Sequence, residues 1–152
     1  MTIEGYRALE NELKKLKNTD RPNVVKAIAE AREHGDLSEN AEYHAAKELQ
    51  SFIEGRIKEL EYKIGRAEVI DISQIKSDKI FFGASVILYD ENSDKEFAYK
   101  IVGIDEADLE QSLISINSPV ARALIGKEVG TIVSVKTPKG TTSYEILNIE
   151  YV

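Results

Sequence analysis

Two apolar stripes at helical spacing, one on either side of a glycine turn, constrain this chain more than any other feature. Tyr6, Leu9, Leu13 and Leu16 recur at intervals of three, four and three, and Val24, Ile28 and Ala31 resume the stripe toward Gly35. Beyond the turn Ala46, Leu49, Ile53, Ile57, Leu60, Ile64 and Ala67 carry a second one. Such spacing lines one face of a helix, and two striped helices joined by a tight turn bury their stripes against each other. The first half is therefore predicted to be an antiparallel helical hairpin of the coiled-coil type. Asn18, Thr19 and Asp20 are good cap residues and Pro22 suits a first helical turn, which predicts a kink or restart near Arg21. An arm of about 30 residues reaches on the order of 45 Å, against about 30 Å for the width of a small domain. A hairpin of that length is expected to present its turn instead of burying it.

After Ala67 the texture changes. The segment 71–79 reads as a connector, and Ser85 to Tyr89, Glu96 to Ile104, Leu113 to Ile116, Thr131 to Lys136 and Thr142 to Glu150 have strand lengths and strand composition. Turn chemistry such as DENSD and TPKG separates them, and Ser118 with Pro119 opens a short helix that Gly126 stops. The expected class is α+β: a hairpin over 1–73 with an acidic tip near 34–42, and an antiparallel sheet with one short helix over 78–152.

Charge and composition narrow the function. A net charge of −7 argues against wrapping nucleic acid, which needs clustered Lys and Arg. Without cysteine there is neither a disulfide framework nor a thiolate metal site. The N-terminal MTIEGYRALE lacks the basic start and apolar run of a signal peptide. No stretch approaches the roughly 20 apolar residues of a membrane span. A cytoplasmic protein without membrane contact is the expectation.

The negative charge gathers at the turn. From Glu30 to Glu48, six acids face only Arg32 and Lys47, a local net of −4. Asp36 and Glu39 have two readings. Asp-x-x-Glu before a helix is a capping-box-like pattern, with both carboxylates at the positive end of the helix dipole. Alternatively, two acids three residues apart at an exposed tip can share a hard cation. Mg²⁺ takes oxygen ligands and is often held by one or two carboxylates plus substrate phosphates. Such a pair would bind it poorly alone, but could complete a two-metal arrangement offered by a partner. His34 and His44 lack the spacing of a recognised zinc motif. Ser38 has no evident base, and the second half has no Gly-rich phosphate loop.

The run AIAEAREHGDLSENAEYHAAKE, from Ala27 to Glu48, resembles the tip of the Gre family of bacterial transcript cleavage factors. The resemblance continues through GYRALENELKKLK, RPNVVKAIAEAR, EGRIKELE, IVGIDEAD, ISINSPVARALIGKEVG and VKTP, covering essentially the whole chain. It departs at Ser38, where relatives commonly carry a basic residue. The resemblance implies a cytoplasmic transcription elongation factor, working as a monomer, that binds RNA polymerase and enters its secondary channel. There it stimulates cleavage of the 3′ end of nascent RNA in backtracked complexes, and meets the elongation-complex DNA only indirectly. It would not be an enzyme by itself and would have no cofactor of its own. Asp36 and Glu39 match the family's acid pair and would share Mg²⁺ with the polymerase. The second domain would be FKBP-like in fold and dock on the channel rim, with Asn117, Ser118 and Pro119 as partner-binding residues.

Two other functions compete. A non-cleaving regulator of the same channel would inhibit or modulate polymerase, but it has no need of an acid pair. A prolyl isomerase built on the second half needs an aromatic-lined pocket, for which no Trp and four Phe give little material.

Overall fold

The computed structural model describes residues 1–35 and 40–152; Asp36, Leu37, Ser38 and Glu39 lie outside the described residues. The chain forms two compact units, one of Tyr6–Glu68 and one of Met1–Gly5 with Val69–Val152. The expected division at 1–73 and 78–152 is thereby corrected at its edges. The first five residues join the second unit because the Ile70 N–H donates to the Met1 carbonyl at 2.9 Å. In addition, Thr2 gives its N–H (2.8 Å) and its hydroxyl (2.5 Å) to the Glu106 carboxylate. Thr2 is 2% exposed, so those donors have no water to turn to.

The helical unit contains the body of α1 (Ile3–Lys15), α2 (Arg21–Arg32) and α3 (Ala41–Arg66). Between α1 and α2 the chain does not restart. Leu16–Asp20 forms a π-helical turn, with Lys15, Asp20 and Arg21 in helical geometry and no side-chain cap at Lys15 or Asp20. The expected break near Arg21 is a π turn, a device that accommodates a proline lacking its N–H without ending the helix.

The predicted seam is present with one correction. Leu9, Leu16, Val24, Ile28 and Ala31 are buried from the first arm, and Ile53, Ile57 and Leu60 from the second. Leu49 is 52% exposed, while Gln50 is half-buried. The 3-4 series on α3 therefore runs Tyr43, Ala46, Gln50, Ile53, Ile57, Leu60, and Leu49 lies one residue off it. Cross-arm ion pairs flank the seam. Arg21 grips Glu54 through Nε and Nη2 at 2.7 and 2.8 Å, and Arg56 grips Glu12 at 2.8 and 2.9 Å. Lys17 meets Glu61 at 2.5 Å. The fork geometry of arginine fixes the register of the arms more firmly than a lysine pair does.

Among the described residues the second unit holds one five-stranded sheet, β1 (Ser85–Asp90), β2 (Lys95–Val102), β3 (Leu113–Ser115), β4 (Ile132–Thr137) and β5 (Gly140–Glu150), in the order β3, β2, β1, β5, β4. All neighbours are antiparallel except β2 and β3, which run parallel. The segment 103–112 returns the chain through two 3₁₀ turns, Ile104–Glu106 and Leu109–Gln111, where the expectation was an antiparallel pair throughout. The alternation of β1 buries Val86, Leu88 and Asp90 on one face. The short helix α4 (Pro119–Leu124) covers that core with Ala121 and Leu124, both 0% exposed. The α+β class holds, as a helical hairpin with a mixed sheet and one short helix. No helix among the described residues is long and apolar enough to cross a membrane.

Candidate functional site at the hairpin tip

The turn between α2 and α3 is built from the ends of two helices. The last turn of α2 closes with the Glu33 N–H on the Glu30 carbonyl and the His34 N–H on the Ala31 carbonyl, both at 3.2 Å. Gly35 follows with φ +109, a left-handed conformation that costs glycine nothing and other residues considerably more. The next described residue, Asn40, has φ −84 and ψ 99 and is the N-cap of α3, its Oδ1 accepting from the Tyr43 N–H at 3.0 Å.

That cap bears on the capping reading of Asp36 at the start of α3. In a capping box with Asp36 as cap, Glu39 would be the third helical residue. Here the third helical residue is Tyr43, α3 starts at Ala41, and the amide oxygen of Asn40 does the capping. The capping role assigned to Asp36 at the start of α3 is taken by another residue. Both acids, expected as the metal-binding and catalytic pair, lie outside the described residues, as does Ser38.

Three further contacts join the arms at the base of the tip. The Asn40 Nδ2 donates to the Ala31 carbonyl at 2.6 Å. The Arg32 guanidinium lies 5.9 Å from the centre of the Tyr43 ring, within cation–π range, and Tyr43 packs edge-on against His44 at 5.6 Å. His34 and Glu42 are 3.9 Å apart and mostly exposed, so their attraction is weak. Among the described residues no three His or carboxylate side chains converge as a metal site. Tyr43 and His44 pack at the base of the tip. Asn40, which sequence reasoning passed over, bonds to both arms. A signal was available: an asparagine directly before the first residues of the α3 seam is as strong a cap as aspartate.

Ion pairing tunes the shaft. The hydrogen bonds from Arg21 hold the Glu54 carboxyl below its ordinary range, and those from Lys63 and Arg56 do the same for Glu59. The hydrogen bond with Glu12 holds the Arg56 guanidinium charged far above any physiological pH.

In the second unit Asn117, Ser118 and Pro119 are consecutive between β3 and α4. Ser118 caps α4 by accepting from the Ala121 N–H at 3.2 Å, and Pro119 opens the helix. Asn117 and Pro119 are exposed and Ser118 is half-buried. The structural role of Ser118 is thus present, and two neighbouring side chains face solvent.

Residues 1–69 match the family model described as transcription elongation factor, N-terminal, and residues 75–151 match transcription elongation factor, GreA/GreB, C-term. Transcription elongation factor GreA of Phenylobacterium zucineum (strain HLK1) is 57% identical over 152 residues, covering 100% of this chain and 97% of its own. The protein of that name from Ruegeria pomeroyi (strain ATCC 700808 / DSM 15171 / DSS-3) is 62% identical over 151 residues, covering 99% and 96%. Among solved structures, GreA factor homolog 1 of Thermus thermophilus is 28% identical and aligns with 99% of this chain and 97% of its own at a TM-score of 0.44. With both halves matched, and with similarity running the full length of the relatives, the chain belongs to the GreA/GreB family of transcription elongation factors.

Proposed function

We propose that this chain is an accessory factor of bacterial RNA polymerase, acting in the cytoplasm. It enters the secondary channel and stimulates cleavage of the nascent RNA 3′ end in backtracked or arrested complexes, so that elongation resumes. Family membership supports the reading, and the observation on which it turns is the cap of α3. With Asn40 as its cap, α3 does not require Asp36 to cap its first residue.

The donor set fits a hard cation, since two carboxylates supply oxygen ligands and leave room for water and phosphate. Mg²⁺ shared with the polymerase would lower the pKa of a bound water and offset charge on the scissile phosphate. Asp36 and Glu39 would complete the ligand set and orient the attacking water, which breaks the bond between phosphorus and the 3′ oxygen of the upstream nucleotide. The chain supplies no nucleophile and does not hydrolyse RNA by itself. Asn117 and Pro119 present the docking surface for the polymerase, on a loop held in place by the capping bond of Ser118.

The test uses stalled, backtracked elongation complexes with Mg²⁺. Adding the protein releases short 3′ RNA fragments. Asp36→Asn or Glu39→Gln lowers the release rate on the order of 100-fold while competition for polymerase is unchanged. Slower transcription without fragments would mark a channel regulator instead, and undiminished release by both variants would remove the acids from the mechanism.

A further inference from the structure

We infer that Glu106 is a positioning residue for the reaction: it completes the capping box of α1 from a distant part of the chain and so fixes the first turn of that helix within the sheet unit. This rests on the cleavage reading above. A capping box has two reciprocal bonds, one from the amide of the third helical residue to the cap side chain, the other from the cap amide back to a Glu or Gln at that third position. At the start of α1 only the first is made locally. Thr2 precedes Ile3, the first helical residue, and its Oγ1 accepts from the Gly5 N–H at 3.0 Å. The third position is Gly5 itself, which has no side chain to return the bond.

Glu106 returns it from 104 residues away, its Oε1 accepting the Thr2 N–H at 2.8 Å and its Oε2 the Thr2 hydroxyl at 2.5 Å. Glycine is what admits it: a Cβ on Gly5 would overlap the carboxyl carbon and Oε2 of Glu106. The carboxylate lies at the N-terminal end of α1, where negative charge is favoured. Its own backbone is held in turn, the Glu106 N–H donating to the Gly103 carbonyl at 3.1 Å.

Thr2 does more than cap. It forms a parallel bridge with Ile70, beside the bond from the Ile70 N–H to the Met1 carbonyl. The chain leaves the sheet unit after Gly5 and re-enters it at Val69, so the two segments that connect it to the hairpin are tied to each other where Glu106 holds them. Under the cleavage reading the sheet unit docks on polymerase and the hairpin is delivered. A stiff connection raises the effective concentration of what is delivered, and a loose one lowers it. Releasing Thr2 therefore slows the reaction of the bound factor more than it weakens binding.

Full-length variants are compared with wild type and with Asp36→Asn on backtracked complexes with Mg²⁺, reading the release rate at saturating factor separately from the half-saturating concentration. Glu106→Ala is expected to lower the saturating rate on the order of 10-fold and to change half-saturation by less than about threefold. Amide exchange speeds up at Gly5 and Ile70 and stays slow in β1 and β5. Glu106→Gln can still accept the Thr2 N–H and donate to the Thr2 hydroxyl, so it restores the wild-type rate. Gly5→Ala is the sharper probe. Alanine is the better helix former, yet here it displaces the carboxylate, lowers release as Glu106→Ala does, and adds no further loss in the Glu106→Ala background. Wild-type rates in both Glu106→Ala and Gly5→Ala would overturn the inference, as would additive losses in the double variant. Loss of protection in β1 and β5 along with the rate would also overturn it, by making Glu106 a folding residue only. Failure of wild type to outperform Asp36→Asn would instead sink the cleavage reading, while exchange at Gly5 and Ile70 would still report whether Glu106 holds the start of α1.

Discussion

The helical unit and the sheet unit bury their apolar residues in different geometries. In the hairpin the buried residues are Leu9, Leu16, Val24, Ile28 and Ala31 on the first arm and Ile53, Ile57 and Leu60 on the second, at helical spacing, with ion pairs between the arms. The sheet unit has a closed core in which Ile80, Leu88, Ile101, Leu124 and Ile146 are all 0% exposed. A linear seam divides its stability among local layers, each of which a single residue can weaken. A closed core pools it. That difference can be tested by changing one residue in each unit.

Truncating a fully buried leucine to alanine costs about 2–5 kcal/mol through lost transfer energy and a residual cavity. Leu60→Ala should lower the melting of the helical signal in far-ultraviolet circular dichroism, and leave amide exchange in β1 and β5 protected. Leu88→Ala should reverse the pattern, exposing sheet amides to exchange while the α3 amides near Ile57 stay slow. Loss of both units in either variant would show that the two do not carry separate cores.

A smaller effect is expected at Gly35. With φ +109 and no heavy atom of the described residues within 4 Å of where a Cβ would sit, the penalty for alanine is taken as conformational, on the order of 1 kcal/mol. Gly35→Ala should lower the hairpin midpoint slightly. A Gly83→Ala variant, with φ +86 and Ile72 in the way of its Cβ, should cost the sheet unit more. Equal costs would mean that the open tip is as constrained as the packed core.

The smallest effect is on pH dependence. Glu54 and Glu59 have folded pKa values below the ordinary 4.5, so the unfolded chain takes up their protons first as pH falls. Their contribution is present above 4.5 and is lost below it, as pH drops through the lowered folded values. The helical midpoint should be flat between about pH 8 and pH 5 and then decline, with a shallower decline in Glu54→Gln. Glu54 is half-buried and Glu59 is exposed, so high salt should flatten the curve.

What the sequence made legible follows the range of the interactions. The seam is a local repeat of three and four residues, and its buried apolar residues could be read from spacing alone, though Leu49 was placed in it and Tyr43 and Gln50 were not. The five strands and α4 also announce themselves locally, through β-branched residues and the Ser118–Pro119 start. The π turn was hidden because Asn18, Thr19, Asp20 and Pro22 read equally well as a helix restart; only packing along a continuous arm decides against it. The parallel pairing of β3 and the anchoring of Thr2 by Glu106 join residues far apart in the chain, and no local pattern encodes them. At the tip, Asp36 and Glu39 are expected from charge and from resemblance, and both lie outside the described residues. Asn40 was overlooked because Asp-x-x-Glu offered an earlier cap of the same chemistry.

The most direct test of the account measures 3′ fragment release from backtracked complexes, with Mg²⁺, by wild type and by the Asp36→Asn and Glu39→Gln variants at matched polymerase occupancy. The account predicts rapid release by wild type and a loss on the order of 100-fold in either variant, with binding intact. Release at the wild-type rate by both variants would contradict it.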